Sequence, residues 1–116
     1  MVRENKMYNL LGMNEERQQR LKQVLAEMWE QSRPETLERV KELETAVEAL
    51  SQGTWSEADR LRAEGTAHKL AGALGTYGIR EGSLAAREVE VRFAEASYDL
   101  ARLQELLKQV RAAVEK

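Results

Sequence analysis

The stretch GTAHKLAGALGTYG, residues 65–78, contains the only histidine of the chain, His68, and four glycines. Good helix formers surround it, and a helix is predicted from near Ser56 to about Tyr77, where Gly78 provides a stop. Each glycine inside a helix costs about 0.8–1 kcal/mol relative to alanine. Gly65, Gly72 and Gly75 therefore weaken the helix that carries the histidine. The presence of three glycines in this helix needs a physical explanation.

The reason emerges when the helix is viewed along its axis, at about 100° per residue. One side carries the apolar stripe expected to face a core, namely Ala63, Ala67, Leu70, Leu74 and Tyr77. His68 points the opposite way, toward solvent. Within about 60° of it lie residues that are mostly small, namely Glu64, Gly65, Ala71, Gly72 and Gly75. This pattern predicts a face cleared for the close approach of another backbone, which is either a neighbouring helix or a docking partner.

The composition favours a single all-α domain. The chain has 116 residues, one proline, 42% hydrophobic and 33% charged residues, and is rich in alanine, leucine, glutamate and arginine. A net charge of -2 without like-charged blocks argues against binding to nucleic acid or to a membrane surface. The absence of cysteine excludes disulfides and thiolate metal sites, and one histidine is a poor basis for a metal site. With no long apolar run and no signal peptide, we expect a cytoplasmic protein.

The first half of the chain predicts either two helices or one kinked helix. Apolar residues recur at helical spacing from Asn14 to about Ser32, and the apolar face resumes at Leu37 with little change of phase. Between them, Ser32 and Glu35 form a potential capping box around Pro34. A proline inside a helix can also bend it without ending it. Both alternatives fit the residues.

The second half of the chain predicts two further helices after the one that carries His68. Gly53 ends the preceding helix, and Thr54 or Ser56 caps the next. A fourth helix is predicted with its apolar side at Leu84 and Val91, joined by Val89 and Phe93; Ser97 is a weak cap for the fifth. Short connections favour antiparallel neighbours. We therefore predict an antiparallel up-down four-helix bundle over residues 14–116 with an additional N-terminal helix or a Pro-kinked helix, preceded by a lead-in or linker at residues 1–13.

The residues around the histidine resemble the signature of the histidine-containing phosphotransfer (HPt) domain family. His68, Leu70, Gly72 and the pair Tyr77-Gly78 match the family pattern, and the order of the helices agrees over about residues 20–115. Many family members carry lysine three places after the histidine, where this chain has Ala71, and the nearby cation is Lys69 instead. The family also favours a long helix through the Pro34 region, hence the kinked helix.

The resemblance implies a phosphocarrier without autonomous kinase activity. His68 would accept a phosphoryl group, through Nε2, from the aspartate of a receiver domain and pass it to the aspartate of another receiver. Lys69 would stabilise the phosphoryl group, and Glu64, Gly65, Ala71, Gly72 and Gly75 would form the docking face. The expected partners are response-regulator receiver domains, with a hybrid sensor kinase as a further candidate. No cofactor of its own is expected, because magnesium would reside on the partner receiver; we expect a monomer.

Two other functions compete with this one. The phosphoacceptor helices of a sensor kinase usually carry a glutamate directly after the histidine and a proline beyond it, whereas Lys69 follows His68 here and no proline follows at all. The second alternative is a non-catalytic helical bundle that binds a signalling partner without phosphotransfer. Acid-labile phosphorylation by a phosphorylated receiver distinguishes a phosphocarrier from such a bundle.

Overall fold

The structure, a computed structural model, describes the backbone of residues 2–116 and the side chains of residues 14–116. Over these residues it contains helices and no strand, which confirms the predicted all-α class. The helices are α1 (Val2–Ser51), α2 (Glu57–Thr76), α3 (Arg80–Ala94) and α4 (Leu100–Glu115).

The chain forms two compact units, Met1–Gln31 and Ser32–Lys116. The second unit contains the end of α1 together with α2, α3 and α4, and it is the helical bundle. The boundary predicted after residue 13 stays a prediction, since the side chains of the lead-in at residues 1–13 lie outside those that the structure describes.

Helix α1 continues through Pro34, so the two predicted helices are one. Because there is no helix start at this point, Ser32 does not act as a cap. Its carbonyl oxygen instead accepts a hydrogen bond from the Thr36 hydroxyl at 2.9 Å, and its own hydroxyl lies 2.9 Å from the Tyr77 hydroxyl. These contacts place Ser32 inside the bundle rather than in a connection.

The predicted turns around α2 are confirmed. Gly53 and Gly78 adopt the left-handed backbone conformation, at φ 75° and φ 74°, that glycine reaches without a steric penalty. Ser56 is the N-cap of α2 and forms a reciprocal capping box with Asp59. For α4, the prediction of Ser97 as the cap is wrong: the cap is Asp99, whose carboxylate accepts from a backbone N–H of the first turn.

Salt bridges and hydrogen bonds connect neighbouring helices of the bundle. Arg111 of α4 donates to Glu44 of α1 at 2.8 Å, and Thr66 of α2 donates to Glu42 of α1 at 3.2 Å. Arg102 of α4 donates two hydrogen bonds to Glu88 of α3. Together these contacts show that α2 and α4 flank α1 and that α3 packs against α4.

Glu88 links α3 to α4 and is the most perturbed acid among the described residues. It accepts from Arg102 at 2.8 and 2.9 Å and from Arg92 of its own helix at 2.9 Å. The hydrogen bonds from Arg102, followed by those from Arg92, outweigh partial desolvation and lower the pKa of Glu88 to about 2. Glu88 therefore stays ionised down to strongly acidic pH in the folded bundle.

The core of the bundle contains small as well as large apolar side chains. On α3 the predicted face is confirmed at Val89 and Phe93, which are fully buried, and wrong at Leu84 and Val91, which are 56% and 44% exposed. The other buried residues of α3 are the small ones Gly82, Ala85 and Ala86. Small residues count little in a search for apolar stripes, but they permit close helix packing, and here they determine which face of α3 turns inward.

Candidate functional site

His68 lies on the outer face of α2, opposite the core. Its side chain is 70% exposed, whereas Ala67 and Leu70 on either side of it in sequence are fully buried. The predicted core stripe of α2 is confirmed at Ala63, Ala67, Leu70 and Leu74, while Tyr77 is half-buried. The helix thus presents the imidazole to solvent, as its position along α2 predicts.

The imidazole is held by one acidic side chain from the neighbouring helix. His68 Nδ1 lies 2.7 Å from Glu90 Oε2 of α3, whose side chain is only 20% exposed. A carboxylate oxygen accepts hydrogen bonds, so we assign Nδ1 as the donor in this contact. Nε2 of the neutral ring consequently keeps its lone pair, on the side of the ring that faces away from Glu90.

Close packing of α2 against α3 brings these two side chains together. Ser83 of α3 donates to the carbonyl oxygen of Ala71 of α2 at 2.8 Å. At the other end of the pair, Arg60 of α2 donates to the carbonyl oxygen of Phe93 at 3.0 Å. Glu90 lies on α3 between these two attachments, and its position opposite His68 follows from the antiparallel alignment that they impose.

The predicted docking residues do not all lie on one open surface. Gly65 and Gly72 are exposed, and a Cβ atom added to either meets no atom within 4 Å. Gly75 is also exposed, but its Cβ would come within 3.3 Å of Ser83 Oγ. Glu64 is half-buried and pairs with Arg60 of its own helix at 3.3 Å. The open part of the face is therefore Gly65 and Gly72.

Ala71 is the exception, and its placement on the exposed face is wrong. It is 1% exposed, because α3 covers it and Ser83 bonds to its carbonyl oxygen. Ala71 lies about 60° from His68 around the axis of α2, and a helical wheel therefore groups the two residues on one face. At that angle, however, α3 already packs against α2. The position at which many family members carry lysine is thus part of the contact between α2 and α3.

Two exposed side chains flank His68 on α2. Lys69 is exposed, and among the side chains that the structure describes it takes part in no ion pair. Leu61, which the sequence analysis missed, is 55% exposed and lies seven residues before His68, about 20° away around the helix axis. Its spacing from the histidine could have identified it. Glu90 gives no such signal, because only the packing of α3 brings it to the imidazole.

The family model of the Hpt domain matches residues 27–113. This match covers most of the chain and includes His68, Glu90 and the glycines of α2, so the chain belongs to the Hpt domain family. No curated protein shows a significant match to the chain, and no solved structure does either.

Membership of this family defines a general role. Hpt domains act in phosphotransfer within two-component signalling and interact with response-regulator receiver domains, and this chain has a phosphotransfer role of that general kind. None of the described helices combines the length and the apolar character that crossing a membrane requires.

Proposed function

We propose that His68 accepts a phosphoryl group from the aspartyl phosphate of one receiver domain and transfers it to the aspartate of another. The observation that carries this proposal is the 2.7 Å contact between His68 Nδ1 and Glu90, combined with the exposure of the imidazole. A nucleophile for this reaction needs a free lone pair, an orientation that persists between encounters and room for a partner.

The transfer begins with attack by the Nε2 lone pair on phosphorus. A P–N bond forms, the P–O bond to the receiver aspartate breaks, and the receiver carboxylate leaves with the bonding electron pair. The imidazole retains its proton on Nδ1 and becomes positively charged. Glu90 stabilises that charge through the hydrogen bond already present, which costs little reorganisation. Reversal of the same steps on a second receiver returns the neutral ring.

Lys69 supplies a positive charge beside His68. Its ammonium group, next to His68 in sequence and without an ion-pair partner among the described side chains, can approach the phosphoryl oxygens. Phosphoryl transfer depends mainly on positioning and on charge neutralisation. We expect the receiver to supply the magnesium ion and the catalytic lysine, so this bundle contributes the nucleophile, its orientation and one cation.

The open surface around His68 is the proposed docking site for the receiver. Gly65 and Gly72 lie within about one turn of the imidazole, and Leu61 adds an exposed apolar side chain about two turns before it. An aspartyl phosphate is short, so the two proteins must come close for the reacting atoms to meet. Gly65 and Gly72 permit that approach because they have no side chain. Leu61 adds an apolar side chain at the edge of this surface, which a receiver can contact.

Transfer of labelled phosphate from a phosphorylated receiver tests this proposal. His68→Gln should accept no label, and Glu90→Gln should slow transfer about two- to fivefold, since a neutral amide replaces a charge-assisted partner at an exposed site. Glu95→Gln, a substitution of an exposed acid at the end of α3, is the matched control and should transfer like the wild type.

Three results would count against the proposal. Acceptance of label by His68→Gln at the wild-type rate would mean that another residue is the acceptor. Equal effects of Glu90→Gln and Glu95→Gln would remove the positioning role of Glu90. Receiver binding without any acid-labile phosphate on the wild-type chain would favour the alternative function, a non-catalytic interaction bundle.

A further inference from the structure

We propose that α1 carries a second interaction surface, through which two copies of this chain associate as an antiparallel helix pair. The surface consists of Leu21, Val24 and Met28, and we call it the N-terminal stripe. These side chains are 58%, 44% and 46% exposed. They recur every three or four residues, so they lie on one side of the helix. The stripe belongs to the unit Met1–Gln31 and shares no residue with the surface around His68.

An uncovered stripe of this kind is physically unusual. Helices in proteins gain most of their stability from packing an apolar face, and a helix without such packing is marginal in water. Leu25, next to Val24, is also partly exposed, and most of the other residues from Asn14 to Gln31 are polar or charged. The segment therefore has an exposed apolar side that another helix can cover.

The charges beside the stripe identify a second copy as the occupant. Arg20 precedes Leu21 and Glu27 precedes Met28, so these two exposed residues lie on the same flank of the stripe, seven residues apart. At about 10 Å along the axis they are too distant to pair with each other. Neither takes part in an ion pair among the described side chains. Water solvates both charges in a single chain, but each comes to lie beside an opposite charge when a second copy runs in the opposite direction, and this favours association.

The geometry of an antiparallel pair satisfies both charges at once. If Leu21 faces Val24 of the second copy, heptad geometry puts Arg20 beside Glu27 of that copy, and two-fold symmetry repeats the pair. A parallel pair would instead place Arg20 beside Leu25 of the other copy, where it finds no carboxylate. The sequence thus favours the antiparallel arrangement. The apolar overlap is short, so we expect a weak dimer, with a dissociation constant on the order of 10–100 µM.

Sedimentation of the full chain over a range of concentrations tests this proposal. The average mass of the wild type should rise from that of one 13.2 kDa chain toward twice that value. Val24→Glu places a charge in the centre of the stripe and should remain monomeric at all concentrations. Val91→Glu is the matched control, because Val91 is the same type of residue and is also 44% exposed but lies on α3; it should associate like the wild type.

Charge reversal tests the antiparallel alignment. Arg20→Glu and Glu27→Arg should each weaken association roughly tenfold, since each creates two like-charged pairs in the dimer, and the double variant should restore it. Three outcomes overturn the proposal: a wild type that stays monomeric up to about 500 µM, association of Val24→Glu at wild-type strength, or a double variant no stronger than the single ones. Phosphotransfer is a separate property, and none of these outcomes bears on it.

Discussion

The open surface around His68 leads to a prediction in which stability and activity change in opposite directions. Gly72 lies one turn after His68 on α2, is exposed, and has no atom within 4 Å of the position that a Cβ would occupy. Substitution by glutamine removes the conformational cost of glycine in a helix, about 0.8–1.0 kcal/mol relative to alanine, less the slightly lower propensity of glutamine. The net gain is about 0.4–0.8 kcal/mol. For a domain of this size, that raises the Tm by about 2–6 °C.

The same substitution should impair transfer. The glutamine side chain would project from the surface that the receiver must approach, and a displacement of about 1 Å can cost a hundredfold in rate when reacting groups must be aligned. We expect kcat/KM for transfer from a phosphorylated receiver to fall at least tenfold. Gly72→Ala gains the full difference in helix propensity between glycine and alanine and adds only a methyl group. It should therefore be at least as stable as Gly72→Gln and should transfer much faster than that variant.

Thermal unfolding by circular dichroism, paired with a labelled-phosphate transfer assay, measures both effects. A stabilised Gly72→Gln that transfers like the wild type would refute the idea that this surface is kept clear for a receiver. A Tm below that of the wild type would refute the absence of neighbours around Gly72, because a side chain in open space has nothing to displace.

Three further substitutions test separate parts of the bundle. Gly75→Ala should melt several degrees below Gly72→Ala, since its Cβ would lie only 3.3 Å from Ser83 Oγ, and equal melting temperatures would show that this contact adjusts freely. Lys69→Ala should slow transfer or shorten the lifetime of the phosphohistidine by about fivefold or less, as expected for an exposed cation, and unchanged rates and lifetimes would leave Lys69 without a role. The hydrogen bonds from Arg102 and, after it, Arg92 lower the pKa of Glu88 from 4.5 to about 2, so ionised Glu88 stabilises the fold above about pH 4.5 and this stabilisation is lost as the pH falls toward 2. Urea unfolding should show Glu88→Gln less stable than the wild type near neutral pH and equally stable near pH 2, and a constant difference would contradict this.

The features that the sequence predicts correctly are local ones. An N-cap contacts a backbone N–H in the first turn of its own helix, so Ser56, one of the two predicted caps of α2, could be identified from the local sequence alone. Gly53 and Gly78 report turns for the same reason, because a left-handed backbone is a property of the residue itself. The outward position of His68 also follows from one helix alone, since Leu70 and Leu74, the large apolar residues of α2, define its inner face.

Apart from the helix caps predicted at Ser32 and Ser97, which are local signals that the folded chain does not use, the features that the sequence misses depend on the neighbouring helix. The inner face of α3 is rich in glycine and alanine, and such residues become core only because α2 and α4 pack closely against them. A Cβ on Gly82 would lie 3.0 Å from Ala113 of α4. Leu84 and Val91 attract attention by their hydrophobicity, yet they remain outside. Ala71 of α2 is buried because α3 packs closely against it. Glu90 is separated from His68 by 22 residues, and nothing in local spacing links the two.

The contact between His68 and Glu90 also has a practical consequence, because the chain contains a single histidine. A nitrogen NMR spectrum of the imidazole therefore arises from one ring and needs no assignment. Its two nitrogens differ in chemical shift according to which one carries the proton, so the spectrum reads out the tautomer directly. Since the tautomer depends on a carboxylate supplied by α3, separation of α2 from α3 during heating or partner binding would appear in the same signals. The imidazole signals of His68 therefore report whether α2 and α3 remain packed together, without any added label.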